Sequence, residues 1–359
     1  MARPNQARLD LAALRHNLSV ARQLAPRSRM MAVVKANAYG HGALNIAGAL
    51  QSLVDALAVA CIEEAIELRY AGITTPILLL QGVFAAAELA TAAQLDLWVT
   101  ITNEQQLSWL EEAALPTSLT CWLKVDTGMH RLGVAPDNAL HFYQRLQASN
   151  NVDKNIVTCT HFAAADDVHS QQTQQQLAVF EALSFAALRS AANSAALLAW
   201  PSAHYDWVRP GYMLYGNSPM LQEHPQAQAL VPVMTLTSAV IALRDVAAGE
   251  AVGYGGTWVA QRPSRIATVT VGYGDGYPRN ATNGTPVLVS GQRAPLAGRV
   301  SMDMITVDVT DLNHVQPGAE VVLWGVGLPL AEVARCADTV GYELTTRMPA
   351  RTPRVVVNA

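Results

Sequence analysis

The sequence predicts a (β/α)8 barrel followed by a smaller, mainly β domain. Three observations carry this. The first two-thirds of the 359-residue chain alternates short apolar runs with Ala/Leu/Glu-rich helical stretches. Eight such alternations spread over about 230 residues, close to the ~250 typical of a closed parallel barrel. Beyond that point the texture changes to alternating runs separated by Gly/Pro/Asp turns roughly 8–12 residues apart, the pattern of a compact β domain.

Taken in order, the barrel strands are expected at 30–34, 56–61, 77–80, 95–101, 119–125 and 156–160, in an Ala-rich piece before Asn193, and at 207–208. Each is an apolar run that ends in a polar cluster. The helices between them are expected at 63–71, 85–93, 103–114, 137–148 and 171–189. An open doubly wound sheet is the alternative, but no Gly-x-Gly-x-x-Gly follows the first strand. The β domain reads as strands at 234–242, 266–271, 286–289 and 304–309, with one late helix at 330–337. Two domains result, 1–230 and 231–359, with the first roughly ten residues free to join the β domain.

Composition narrows the function classes. Hydrophobic residues make up 51% and charged residues 14%, with mean hydropathy +0.16. That is too apolar for a disordered chain. No stretch reaches the ~18 predominantly apolar residues of a spanning helix, so the expectation is no membrane partner. The apolar excess instead suits a large interior or a subunit interface. A formal net charge of −4 argues against nucleic acid, which calls for a basic face. The four cysteines, Cys61, Cys121, Cys159 and Cys336, form no Cys-x-x-Cys pair, and the N-terminal residues lack the apolar segment of an export signal. A reducing, cytoplasmic location is the expectation.

In a barrel, catalytic groups gather at the C-terminal ends of the strands, and phosphate binds in the loops after strands seven and eight. The first strand runs into Lys35, the fifth into Lys124 and Arg131, and the sixth into His161. The seventh leads to Asn193 and Ser194, and the eighth to Arg209, Gly211 and Tyr212. A lysine desolvated at a barrel mouth has a lowered pKa and serves as an amine nucleophile toward a carbonyl. Ser194 with the backbone N–H groups near Gly211 would cradle a phosphate. Singly, these read as a strand-end lysine, a helix cap and a turn. Together they suggest pyridoxal phosphate, which needs both a Schiff-base lysine and a phosphate site.

Five segments carry a family resemblance. They are Ala-Val-Val-Lys-Ala-Asn-Ala-Tyr-Gly-His-Gly, Lys-Val-Asp-Thr-Gly-Met-His-Arg-Leu-Gly, Val-Arg-Pro-Gly-Tyr-Met-Leu-Tyr-Gly, Val-Gly-Tyr-Gly-Gly-Thr-Trp and Gly-Arg-Val-Ser-Met-Asp-Met. With them, nearly the whole chain resembles the bacterial alanine racemases. The resemblance implies that Lys35 carries pyridoxal 5'-phosphate as an aldimine and acts as the base on the D-alanine side. It implies that Tyr254, from the partner subunit of a homodimer, acts on the L-alanine side. Removing a proton from one face and returning it to the other needs two groups flanking one carbanion. A tyrosine of pKa ~10 serves only where its site favours the phenolate. The family achieves this by a hydrogen-bond chain from Arg209 through His161.

By the same resemblance, Tyr39, Ser194, Gly211, Tyr212 and Tyr342 contact the phosphate, and Arg131 binds the substrate carboxylate. Met302 of the second subunit donates its N–H to that carboxylate. Tyr273 and Tyr342 form a gate near Asp303, and Lys124 matches a lysine that is carbamylated in many members. Three departures stand out. His130 replaces a common glycine, Tyr212 replaces a small aliphatic, and the C-terminus lacks an aromatic. The alternatives are a broader-specificity racemase, a decarboxylase of the same plan, a non-catalytic pyridoxal phosphate carrier and a metal hydrolase. The last is disfavoured by scattered histidines without His-Glu-x-x-His. A biosynthetic role in supplying D-alanine for the cell wall and a catabolic role both fit.

Overall fold

The computed structural model describes residues 3–185 and 187–359. Strand β1 (Gln6–Asp10) opens it, and the next eight strands close a parallel barrel. These are β2 (Arg29–Val33), β3 (Ala56–Val59), β4 (Ile77–Leu79), β5 (Leu97–Ile101), β6 (Cys121–Lys124), β7 (Val157–Cys159), β8 (Leu188–Ser190) and β9 (Trp207–Val208). Arg29 opposite Trp207 and Met30 opposite Val208 shut the ring. The barrel with its β-rich C-terminal domain is the architecture expected from the sequence.

Strand side chains alternate between two apolar layers, as the period of two requires. Met30 and Ala32, Leu57 and Val59, and Ile77 and Leu79 pack outward against the helices. Met31, Val33, Ala58, Leu78, Trp122 and Trp207 fill the inside. Trp98, Trp122 and Trp207 form its aromatic floor, with ring centroids 5.7–6.5 Å apart. Such large rings fill a volume that aliphatic layers fill in other barrels.

One helix is shorter than expected. The segment 171–189 reads as helical throughout, but the helix is Gln172–Glu181 and Leu188–Ser190 is strand β8. The Arg189 guanidinium folds back and donates to the carbonyls of Phe180 and Leu183, at 3.4 and 2.8 Å. It thereby ties β8 back to the end of the helix and the residue just beyond it. Cys61, expected as the last residue of the strand at 56–61, instead precedes the helix Ile62–Tyr70 as its N-cap.

The C-terminal part contains β10 (Met234–Val246), β11 (Ala251–Val252), β12 (Trp258–Val259), β13 (Ser264–Val269), β14 (Pro286–Val289), β15 (Gln292–Pro295), β16 (Ile305–Asp308), β17 (Glu320–Trp324) and β18 (Arg354–Val357). A register shift between Val240 and Ala242 lets β10 pair with β17 in its first half and β13 in its second. Such a bulge bends a long strand across two packing directions. Strand β1 lies between β10, antiparallel, and β18, parallel. Both ends of the described chain therefore meet in this sheet. The helix Gly341–Thr346 is too short to show a readable period. Among the described residues, no helix is long and apolar enough to cross a membrane.

Candidate active site

The alternation that fills the barrel also sets its mouth. Val33, Trp122, Cys159 and Trp207 point inward, and two residues beyond each come Lys35, Lys124, His161 and Arg209. All four line one cavity of about 930 Å3, together with Tyr39, Arg131, Ser194, Gly211, Tyr212 and Tyr342. Trp122 from the aromatic floor also borders it. Every expected site residue from the barrel therefore reaches the same space, joined by Tyr342 from the helix Gly341–Thr346.

Lys35 enters the cavity at the start of an unusual turn. Ala36, Asn37, Ala38 and Tyr39 all take left-handed backbone conformations, with φ between 51° and 54°. For L-residues this costs about 1–2 kcal/mol each, so the surroundings must hold the turn. The Glu64 carboxylate accepts the N–H of Ala36 at 2.6 Å and that of Ala60 at 2.8 Å. Asn37 Oδ1 accepts from Ala43 N–H at 2.7 Å. Arg354 donates two bonds to the Gly40 carbonyl, at 3.0 and 2.9 Å. At Gly40, φ is +80° and a Cβ would lie 1.7 Å from the Thr345 carbonyl oxygen. Strain concentrated beside a reactive residue is a mark of functional sites.

Beside this turn, after the neighbouring strands β8 and β9, Ser194 Oγ accepts the N–H of Gly211 at 2.9 Å and of Met213 at 3.3 Å. Asn193 caps the helix Ser194–Ala199 by accepting from Ala196 N–H. A Cβ at Gly211 would come within 2.6 Å of Tyr39 Oη. Tyr212 and Tyr342 stack with centroids 3.6 Å apart and a 14° interplanar angle. Burial pushes the Tyr39 hydroxyl up to about 12 and raises Tyr212 and Tyr342 as well. At neutral pH these phenols stay protonated, as donors.

Arg209 is buried, and its guanidinium donates to Ser190 Oγ at 2.5 Å, the Thr160 carbonyl at 2.6 Å and the Ala191 carbonyl at 3.2 Å. Its Nε–H has no hydrogen-bond partner among the described residues, and the residue lines the cavity. Burial lowers the Lys35 amine below its usual range, the Arg131 charge adds to this, and Glu64 opposes it. Burial also brings Lys124 down to about 8; Cys159 opposes the shift, while Arg209 and Arg131 add to it. The same desolvation, then the charges of Lys124, Arg209, Arg131 and Lys35, hold His161 well below its usual value. His161 is thus neutral at pH 7. The cavity is a concentration of cationic groups, suited to a phosphate and a carboxylate.

Arg131 follows a strained position. His130 has φ +55°, the left-handed region where glycine is free. Asp126 Oδ1 accepts from the N–H groups of Gly128, Met129 and His130, each at 3.0 Å. Burial works to raise the Asp126 carboxyl, but these three donors outweigh it and the net shift is downward. His130 Nδ1 lies 3.3 Å from Asp126 Oδ2, a contact that glycine could not make.

The remaining candidates lie elsewhere. Tyr254, between β11 and β12, is 70% exposed; Met302 is 52% and Tyr273 41% exposed. None of these, nor Asp303, lines the cavity of its own chain. The N–H of Met302 donates to no described residue. The sequence reading missed Glu64, Asn37 and Arg354, which hold the Lys35 turn. Glu64 was visible only as an acidic residue in a helix's first turn, and Arg354 lies over 300 positions from the turn it clamps.

Residues 9–219 match the family described as alanine racemase, N-terminal domain, and 233–356 match alanine racemase, C-terminal domain. Alanine racemase of Chromohalobacter salexigens is 52% identical over 361 positions, covering 100% of this chain and 99% of the relative. The catabolic alanine racemase of Pseudomonas putida is 50% identical, covering 98% of each chain. The biosynthetic enzyme of Escherichia coli is also 50% identical, covering 94% of this chain and 95% of its own. The crystal structure of biosynthetic alanine racemase from Pseudomonas aeruginosa superposes with a TM-score of 0.95 at 49% identity over 99% of both chains. With the inward-facing lysine, the cationic cavity and both domains matched, this chain belongs to the alanine racemase family.

Proposed function

We propose that the chain racemises alanine with pyridoxal phosphate, by two-base proton exchange in sites shared between the two subunits of a homodimer. The observation that carries this is the division just described. The barrel supplies a cationic cavity with a low-pKa lysine, while Tyr254, the second base implied by the sequence, stands exposed outside it.

The residues present fit the cofactor. Lys35 has a lowered pKa in the cavity, which suits an amine nucleophile. The Ser194 hydroxyl meets the Gly211 backbone where a Cβ would collide with Tyr39 Oη, a cradle for phosphate. The Arg209 Nε–H is free for a ring nitrogen. Bound there, pyridoxal phosphate supplies an electron sink that acidifies the α-proton of an amino acid.

Lys35 would hold the cofactor and exchange the α-proton on the D-alanine face. Tyr254 of the partner subunit would serve the L-alanine face. Arg131 and the Met302 N–H of the partner subunit would bind the substrate carboxylate, and Tyr273 with Tyr342 would limit the side chain to a small one. Arg209 would present an always-charged N–H donor, rather than a carboxylate, to the ring nitrogen. Lys124, brought to about 8, is partly neutral at physiological pH and open to carbamylation by CO2. The carbamate would orient Arg131 and relieve the crowding of cations. Removing CO2 should therefore lower activity several-fold, and bicarbonate should restore it; Lys124→Met should abolish that response.

The decisive test of activity is incubation with L-alanine in deuterated water. Loss of optical rotation with uptake of one α-deuterium is the expected result, and an unchanged solution would overturn the reading. We place the enzyme in the cytoplasm, where either D-alanine supply or alanine catabolism would draw on it. Relatives named for both roles are equally similar to the chain.

A further inference from the structure

Asp275 has no part in the chemistry above, yet it is fully buried. Its carboxylate receives a fork from Arg3, at 2.5 Å to Oδ1 and 2.8 Å to Oδ2. Arg351 Nε lies 2.9 Å from Oδ1, and Gly272 N–H donates to Oδ2 at 2.9 Å. Both arginines reach on to a second turn. Arg3 donates to the Asp303 carbonyl at 3.1 Å, and Arg351 pairs with the Asp303 carboxylate.

The two turns are also stitched by backbone. Tyr273 N–H donates to the Ser301 carbonyl at 3.0 Å and Gly274 N–H to that of Met302 at 2.9 Å. A Cβ at Gly272 would sit 2.3 Å from the Ser301 carbonyl oxygen, so the turns pack too closely for any side chain there. Tyr273 and Met302, both exposed, lie on these two turns, and the Met302 N–H donates to no described residue. The buried carboxylate thus fixes the turn that carries one relative to the turn that carries the other.

We propose that Asp275, with Arg3 and Arg351 as its counter-cations, is a positioning residue for the partner subunit's site. It sets the spacing between the Tyr273 ring and the Met302 N–H, and through them the room left for the substrate side chain. The inference rests on the proposed shared site. Geometry of this kind matters because a misplacement of about 1 Å costs on the order of 100-fold in rate. A bidentate arginine fork fixes angle as well as distance.

Hybrid dimers test it directly. Lys35→Ala and Tyr254→Phe chains, co-expressed with different tags, form a dimer with one intact site, built from the Lys35 of one chain and the Tyr254 of the other. Asp275→Asn is added either to the Lys35→Ala chain, whose β domain completes the intact site, or to the Tyr254→Phe chain, whose β domain faces the dead one. The first placement should lower kcat/KM for alanine about tenfold or more and raise the serine-to-alanine ratio about threefold; the second should change neither. Equal losses in both placements, or an unchanged ratio, would overturn the inference, because misfolding scales all substrates alike. If Asp275→Asn prevents assembly, Arg351→Lys goes through the same two placements with the same criteria. An inactive parent hybrid, by contrast, rejects the shared site itself and this inference with it.

Discussion

The barrel mouth and the outer edge of the β domain present their reactive groups in opposite ways. At the mouth, Lys35, Lys124, His161 and Arg209 line one cavity and lose solvent, and neighbouring cations add to the lowering of Lys35, Lys124 and His161. At the edge, Tyr254, Tyr273 and Met302 turn outward into solvent, carried on a two-stranded ribbon and on turns pinned by buried Asp275. One region makes an environment and the other offers groups to an environment it lacks. The difference teaches that one chain carries both halves of the proposed site yet holds Tyr254 outside the cavity that contains Lys35.

The sharpest break in that comparison would come from the two proposed bases. Lys35→Ala and Tyr254→Phe should each lower racemisation by about 10^3-fold or more, the range expected of a lost proton-transfer group. Mixed together, the two inactive proteins should recover at most about a quarter of wild-type activity, because random pairing makes half the dimers hybrids with one intact site of two. Racemisation followed by optical rotation reads both effects, and mixtures no more active than their components would undo the comparison.

The inward-facing region should also be the less forgiving of backbone change. Gly40→Ala drives a Cβ to 1.7 Å from the Thr345 oxygen at φ +80°, whereas Gly284→Ala, at φ +88°, meets open space. Urea unfolding should show a loss of about 3 kcal/mol or more for the first and about 1 kcal/mol for the second, the left-handed cost alone. Equal losses would mean that the Lys35 turn is not held by the contact with Thr345.

Acid should likewise find the barrel first. Burial brings His41 down to about 4. The unfolded residue takes a proton below about pH 6.5 while the folded one stays neutral, so its contribution is complete above that value and is lost as pH falls toward 4. The slope approaches about 1.4 kcal/mol per pH unit, with His161 acting in the same direction. His41→Gln should flatten the acid limb of stability against pH, and a limb of unchanged steepness would assign it to other groups. The smallest effect belongs to His130→Gly. Relief of the left-handed strain is offset by glycine's entropy and by loss of the exposed contact to Asp126, so stability should move by less than about 0.5 kcal/mol.

Much of the barrel side was legible in the sequence because strand ends are local events. An apolar run stopping at Lys35 or Lys124 marks a mouth residue, and alternation decides which way it points. The segment 171–189 misled for an equally local reason. Its composition stays helical, and it is the tertiary return of Arg189 onto the carbonyls of Phe180 and Leu183, far from any local pattern, that accompanies the end of the helix. The short helix Gly341–Thr346 brings Tyr342 onto Tyr212, and that contact follows from packing between domains rather than from a period. Asp275 lay within a Gly-rich turn, and nothing nearby in sequence shows that Arg3 and Arg351 converge on it.

The sequence by itself determined the barrel-plus-β plan, the inward lysine and the set of chemical groups, because patterning, motif spacing and residue chemistry belong to short segments. Tertiary structure alone decided that Ala36–Tyr39 would run left-handed against its intrinsic preference. It also decided that residues near the two ends of the chain would clamp one buried carboxylate, and that Tyr254 would stand outside its own chain's cavity. Each of these depends on contacts between residues far apart in sequence, whose combined energy overrides the local preferences that a sequence displays.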